Sequence, residues 1–236
     1  MRKFILRWIV IAAAVLLILQ YYGYIWHNEI FVPGNLVKGL DVSHHQGKID
    51  WPELEDQEYH FVFIKATEGA ALQDHYFQYN WRASKKAGFI RGAYHFYRAN
   101  CSGAEQARNL INTVPRDPQG LPPVIDLEVD TRVNRAGLVK QLKIMVSRLE
   151  RYYGRPPILY VNYANYNAFV KGDFSECDIW IADLYDYPKL DNQRKWTFWQ
   201  YCNRGRVEGI PSYVDINVYN GDRTQLLNRY CPESET

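Results

Sequence analysis

Apolar runs of strand length alternate with helical periodicities along most of this chain. In Gly39-Leu40-Asp41-Val42-Ser43, Leu40 and Val42 fall on one face and Asp41 and Ser43 on the other, the period of a strand. Phe61-Val62-Phe63-Ile64-Lys65-Ala66 predicts a second strand, apolar enough to be buried on both faces. Asp74–Ala87 reads as a helix closed by Gly88, and Ile90–Tyr97 as a third strand. Ser102-Gly103-Ala104-Glu105 is a capping box that opens a helix to about Val114. A fourth strand, Pro122–Glu128, sets Ile125 and Leu127 on one face and Val124, Asp126 and Glu128 on the other. Asn134–Tyr153 is the longest helical pattern, with Leu138, Leu142, Met145 and Leu149 in register and Gly154 closing it. Further strands are predicted at Pro157–Tyr163, Asp178–Asp183, Trp196–Tyr201 and Val214–Tyr219, with a final helix from Asp222 through Arg229.

Eight strands, with helices between most of the early ones, predict an α/β barrel. The stretches 164–177 and 184–195 leave little room for full helices, so the helix ring is expected to be incomplete and the later half irregular. An open doubly wound sheet is the alternative, but no Gly-rich phosphate loop follows any strand.

The first residues stand apart from this pattern. Met1-Arg2-Lys3 precedes an apolar run from Phe4 to Leu19 broken by Arg7, and Tyr21, Tyr22, Tyr24 and Trp26 follow like an interfacial aromatic belt. Phe4–Trp26 reaches the roughly 20 residues that a span requires. Gln20-Tyr21-Tyr22-Gly23-Tyr24 contains no small-x-small cleavage site, so residues 1–26 are expected to be an uncleaved signal anchor; cleavage would instead make the domain a secreted one. Positive charge ahead of the span keeps the N-terminus in the cytoplasm and the domain outside. Residues 27–38 then read as a tether and 39–231 as one barrel domain.

Composition narrows the partners. A net charge of +2, with no basic stretch interleaved with aromatics beyond the N-terminus, argues against nucleic acid. Aromatics make up 15% of the sequence, including 19 Tyr and 7 Trp, which suits sugar rings as well as cores. Cys101, Cys177, Cys202 and Cys231 lack the spacing of a zinc knuckle or redox dithiol, and an extracytoplasmic setting permits disulfides. No metal or other cofactor is expected. Adjacent His44 and His45 are expected to point apart, and His95 to act as a hydrogen-bonding partner in the mouth of the barrel.

The chemistry concentrates on the polar strand faces. Asp126 and Glu128 lie side by side, roughly 6–7 Å apart at Cα, and mutual repulsion holds a proton on one of them to higher pH. In a closed barrel the first and eighth strands are neighbours, so Asp41 and Asp215 meet and face Asp126 and Glu128 across one mouth. Four converging carboxylates are hard to explain as packing, since an unpaired buried charge is costly. Divalent-metal binding and glycoside hydrolysis both fit such a cluster; Tyr94, Phe96, Tyr160, Tyr163, Trp180, Trp199 and Tyr201, at or near strand ends, favour sugars.

Gly39-Leu40-Asp41-Val42-Ser43-His44-His45-Gln46-Gly47-Lys48-Ile49-Asp50-Trp51 resembles the opening motif of glycoside hydrolase family 25, the Chalaropsis-type lysozymes. The resemblance continues through Phe63–Gly69, Gly92–Phe96, Asp126-Leu127-Glu128, Trp199-Gln200-Tyr201 and Val214–Asn217. It implies a flattened β/α barrel that cleaves the β-1,4 bond between N-acetylmuramic acid and N-acetylglucosamine in peptidoglycan. Glu128 matches the family's general acid, and Asp126 the residue that orients the substrate acetamido group as it attacks the anomeric carbon. Asp41 and Asp215 match the remaining acids of the mouth. Tyr160 matches a sugar-contacting aromatic, and Tyr94, His95, Trp199 and Gln200 fall in matched motifs as substrate-binding residues. The route implied is substrate-assisted, outside the two-carboxylate scheme. The expected partners are glycan strands of peptidoglycan and, through the N-terminal helix, a bacterial membrane; the chain is expected to be monomeric. A chitinase-like hydrolase and a non-catalytic glycan-binding module remain alternatives. The cysteines are not part of the family motif; barrel geometry suggests Cys101–Cys202 on the catalytic face and Cys177–Cys231 on the opposite one.

Overall fold

A computed structural model describes residues 1–231 of the chain. An apolar helix, α1 (Arg2–Tyr21), leads into a barrel. The barrel strands are β1 (Val37–Val42), β2 (Tyr59–Glu68), β4 (Ile90–Phe96), β5 (Val124–Asp126), β6 (Ile158–Val161), β7 (Ile179–Ala182), β8 (Phe198–Gly205) and β9 (Val214–Tyr219). They run around the ring as β1-β9-β8-β7-β6-β5-β4-β2, and β1–β2 pairing closes it. The two-residue β3 (Leu72–Gln73) is an antiparallel appendage of β2. The eight expected strands are thus all present and closed, and the open-sheet alternative is excluded.

Closure divides the apolar residues into two cores. Val62, Ile64, Ile125, Leu127 and Ile181 point outwards to the helices, which are α2 (Phe77–Lys86), α3 (Gly103–Thr113), α4 (Arg135–Tyr153) and α6 (Arg223–Tyr230). Phe61, Phe63, Val124, Ile158, Trp180 and Phe198 point inwards and fill the barrel, with Phe63 stacked on Trp180 at 4.4 Å. Gly39 and Gly92 make room for this plug: a Cβ on either would come within 2.5–2.7 Å of the Phe61 or Phe63 ring. The helix ring is incomplete, as expected. Between β6 and β7 there is the three-residue α5 (Tyr163–Asn165) with a π turn at Tyr166–Val170, and β8 and β9 form a hairpin.

One departure from a regular barrel and two corrections to the expected structure stand out here. The last strand is antiparallel to both β1 and β8, whereas a regular β/α barrel is parallel throughout. The tether is also packed down: His27–Phe31 form a 3₁₀ turn, Asn28 is fully buried, and Val32 and Leu36 lie against the core. None of the four cysteines is bridged. Cys101 sits beside Gly69, following β4, while Cys202 is on β8, halfway round the ring. Cys177 is buried in the outer core, whereas the Cys231 thiol reaches the Gln119 carbonyl at 3.0 Å. Lying at the same end of a barrel therefore does not bring two residues together.

Candidate active site

The carboxylates gather where the strands end. β5 holds only three residues in the ladder, but backbone bonds extend its line: Tyr97 N–H donates to the Asp126 carbonyl at 2.9 Å, and Leu127 N–H to the Tyr160 carbonyl at 2.9 Å. Val129 N–H then donates to Asn165 Oδ1 at 3.2 Å. Glu128 therefore stands between two pinned residues, on the same face as Asp126. Asp41 pairs with Asp215 across the β1–β9 ladder. The antiparallel run of β9 is what makes this possible, because it puts the start of β9 at the mouth formed by the other strands' ends.

Two hydrogen-bond chains converge on Asp41. Tyr160 OH donates to Gln200 Oε1 at 2.8 Å, and Gln200 Nε2 donates to Asp41 Oδ2 at 3.1 Å. Trp180 Nε1 donates to Asn217 Oδ1 at 2.9 Å, and Asn217 Nδ2 donates to the same Asp41 oxygen at 2.8 Å. Asp41, Lys65, Tyr94, Phe96, Asp126, Glu128, Tyr160, Gln200 and Asp215 line a mouth of about 200 Å³, together with His45 and Trp180. A larger hollow of about 450 Å³ lies at the other end of the barrel, where Asp117, its one acid, is paired with Arg91 at 2.8 Å.

Burial governs the protonation of this mouth. Asp41 is pushed up to about 6, mainly by burial and against the pull of its Asn217 and Gln200 donors. Asp215 is raised well above the ordinary range by burial, and then by the charge of Asp41 and a hydrogen bond to it. Asp126 is raised by burial and then by Glu128 and Asp41; Lys65 opposes this. No protein donor among the described residues reaches Asp126 Oδ1, although the atom is buried. Glu128 is exposed at the rim, and the desolvation it does suffer raises its carboxyl as well.

These shifts carry a stability signature. Raised carboxyls bind more protons in the folded than in the unfolded state, so stability is greatest below about pH 4 for this cluster and falls as pH rises through the folded value of Asp41, near 6. A drop in melting temperature of on the order of 5 °C is expected between pH 4.5 and 7.5 in a chain of this size. Asp215→Asn keeps a donor toward Asp41 without a titrating proton, so its melting curve should be flatter across that window. An unchanged slope by calorimetry would show that the cluster does not control it.

Not every expected residue reaches the mouth. His95 is fully buried on the outer wall, where Nδ1 meets Thr67 Oγ1 at 2.7 Å and Nε2 meets Gln106 Oε1 of α3 at 3.0 Å. Trp199 is fully buried in the outer core, with Nε1 donating to the Asp183 carbonyl at 2.8 Å. His44 and His45 do not splay as neighbours on a strand would. They sit on a 3₁₀ turn with rings 4.0 Å apart; His44 Nδ1 meets Asp74 Oδ2 at 2.6 Å, and His45 faces the mouth. Lys65 went unremarked in the sequence. It follows Phe61 and Phe63 on the inner face of β2, and its Nζ bonds Glu68 at 2.8 Å and lies over the Phe96 ring at 5.1 Å. A lone cation in an apolar strand was the signal for it.

A closed, irregular β/α barrel with an acid cluster at its strand ends fits a glycoside hydrolase. Residues 40–210 match the sequence pattern of glycosyl hydrolases family 25, and the chain belongs to that family and is a glycoside hydrolase. A family 25 glycosyl hydrolase from Bacillus anthracis superposes with a TM-score of 0.78 at 42% identity, covering 81% of this chain and 92% of the other. Lysozyme M1 of Streptomyces globisporus is 33% identical over 210 residues, 81% of this chain and 70% of its own. YegX, an uncharacterised protein of Escherichia coli K12, is 34% identical over 216 residues, 88% of this chain and 79% of its own.

Proposed function

We propose that this chain is a peptidoglycan N-acetylmuramidase that hydrolyses the β-1,4 bond between N-acetylmuramic acid and N-acetylglucosamine. Membership of a lysozyme family supports the substrate class. The observation that carries the chemistry is the placing of an exposed Glu128, its carboxyl raised by desolvation, beside a buried Asp126 oxygen that no protein group among the described residues satisfies. In this reading Glu128 gives its proton to the leaving glycosidic oxygen, which suits an acid whose pKa is raised toward neutrality. The acetamido N–H of the muramic acid ring donates to Asp126. That donor stabilises the carboxylate form, releases Asp126 from the need to keep a proton, and turns the acetamido oxygen toward the anomeric carbon. Asp41 and Asp215 hold one proton between them and fix Gln200, and through it the Tyr160 hydroxyl, at the sugar's edge. Tyr94 and Phe96 offer ring faces to the glycan.

In the same reading α1 is an uncleaved membrane anchor with the barrel outside the cytoplasm. Its 20 residues have a mean hydropathy of 2.2 in the most apolar window and bury nothing against the barrel. Mass spectrometry of the fragments released from purified peptidoglycan tests the assignment: new reducing ends should all be N-acetylmuramic acid. Reducing N-acetylglucosamine ends, or cleavage of chitin oligomers alone, would overturn it.

A further inference from the structure

The membrane helix and the barrel meet at one place. α1 buries none of its residues, so it stands clear of the barrel along its length, and only its C-terminal end is gripped. Arg204 Nε, from the β8–β9 hairpin, donates to the Tyr21 carbonyl at 2.9 Å, and Arg206 Nε donates to the Tyr22 carbonyl. These are carbonyls that the last turn of a helix leaves without an intrahelical partner, at the negative end of its dipole. The Arg204 guanidinium lies against the Tyr21 and Tyr213 rings, 4.9 and 4.5 Å from their centroids. That of Arg206 lies against Tyr24 and Tyr213, at 4.9 and 5.0 Å. Gly23 allows the approach: its φ is +70°, and a Cβ there would fall 2.0 Å from the Arg204 carbonyl oxygen. Behind this grip, the buried Asn28 side chain donates to the Asp183 carbonyl at 2.8 Å, and Trp26 packs on the outer core. Residues 21–28 make a fitted joint.

The same hairpin forms part of the catalytic rim. Gln200 and Asp215, on its two arms, both line the mouth. Gln46 Nε2 donates to the Tyr213 carbonyl at 3.0 Å, and Ser212 Oγ donates to the carbonyl of His45, whose ring faces the mouth, at 3.4 Å. Tyr213 is two residues from Asp215, at most about 7 Å along the chain. The helix is therefore joined to the end of the barrel that carries the acids, and Gln119 lies at the other end, before β5.

We infer that the Arg204–Arg206 clasp fixes the barrel with its catalytic mouth against the membrane surface, so that the chain cuts glycan lying close to the membrane. This rests on the muramidase assignment and on α1 spanning the bilayer. A flexible linker of the same length lets a domain tumble and present any face. A joint closed by two charged hydrogen bonds, two cation–aromatic contacts to the helix end and a buried asparagine holds one face down.

Lipid cross-linking from the full chain tests this directly. The protein is reconstituted in phosphatidylcholine–phosphatidylglycerol vesicles, with a photo-cross-linking side chain at Ser212 or at Gln119, both exposed. Ser212 should label lipid strongly and Gln119 should not. In an Arg204→Ala/Arg206→Ala background that preference should fall about tenfold, as the loss of charge-assisted contacts requires. Turnover of soluble glycan fragments should stay as in the parent. Equal labelling at the two positions, an unchanged preference in the double variant, or a chain that fails to float with the vesicles would each overturn the inference. Loss of turnover in the parent protein would defeat the muramidase assignment instead, while the labelling ratio still decides the orientation.

Discussion

Glu128→Gln should lower the rate of glycan cleavage by about 10²–10⁴-fold, the range a positioned general acid supplies. The fold should survive unchanged. Glu128 is exposed, its side chain makes no hydrogen bond among the described residues, and it stands between Leu127 and Val129, whose backbone N–H groups are both engaged. Glutamine keeps the shape and loses the transferable proton, so the loss should appear in kcat with KM little changed. Reducing-end release from purified peptidoglycan measures it, and near-parental turnover in this variant would remove Glu128 from the mechanism.

Asp126→Asn should produce two opposite effects. Activity should fall by about 10²–10³-fold if Asp126 receives the acetamido N–H as proposed, because the amide puts a donor or a weaker acceptor in place of the carboxylate. Stability should rise at neutral pH. Asp126 is buried with its pKa well above the ordinary range, so at pH 7 the folded state must either keep a proton or bear a buried charge that the unfolded chain avoids. Asparagine removes that burden. An increase in melting temperature of roughly 2–4 °C at pH 7 is expected, shrinking to nothing below about pH 3, where the parent carboxyl is protonated in both states. A variant less stable than the parent at pH 7 would show that Asp126 is held by contacts other than those described.

Much of this site was legible because strand periodicity is simple. Alternation alone assigns Val124, Asp126 and Glu128 to the inner face and Ile125 and Leu127 to the outer one, and the two cores divide along that line. The same rule contained the means to set aside His95 and Trp199. His95 is adjacent to Tyr94 and Trp199 to Gln200, and neighbours on a strand cannot share a face. Motif membership grouped them, although only one of each pair faces the mouth. Strand direction was not legible in β9, since an alternating hexapeptide reads the same in either sense. Position around the ring was legible from strand order, which sets the third and seventh of eight strands opposite each other; the Cys101–Cys202 pairing used only their shared end of the barrel. The packed joint at residues 21–28 was missed for another reason: Asn28 and Gly23 look like linker residues until the carbonyls they approach are known.

The antiparallel closure has a consequence for biosynthesis. Asp41 lies in the first barrel strand, while Asp215 and Asn217 come from the last one, so the two sides of the Asp41 site are made at opposite ends of synthesis. A chain emerging N-terminus first carries β1 unpaired on one edge until β9 arrives to fill the gap between β1 and β8. The proton shared by Asp41 and Asp215 has no second carboxylate before that moment. A chain that has not yet made β9 thus holds Asp126 and Glu128 without the opposite wall of the site. The acid cluster is complete only once β9 has closed the barrel.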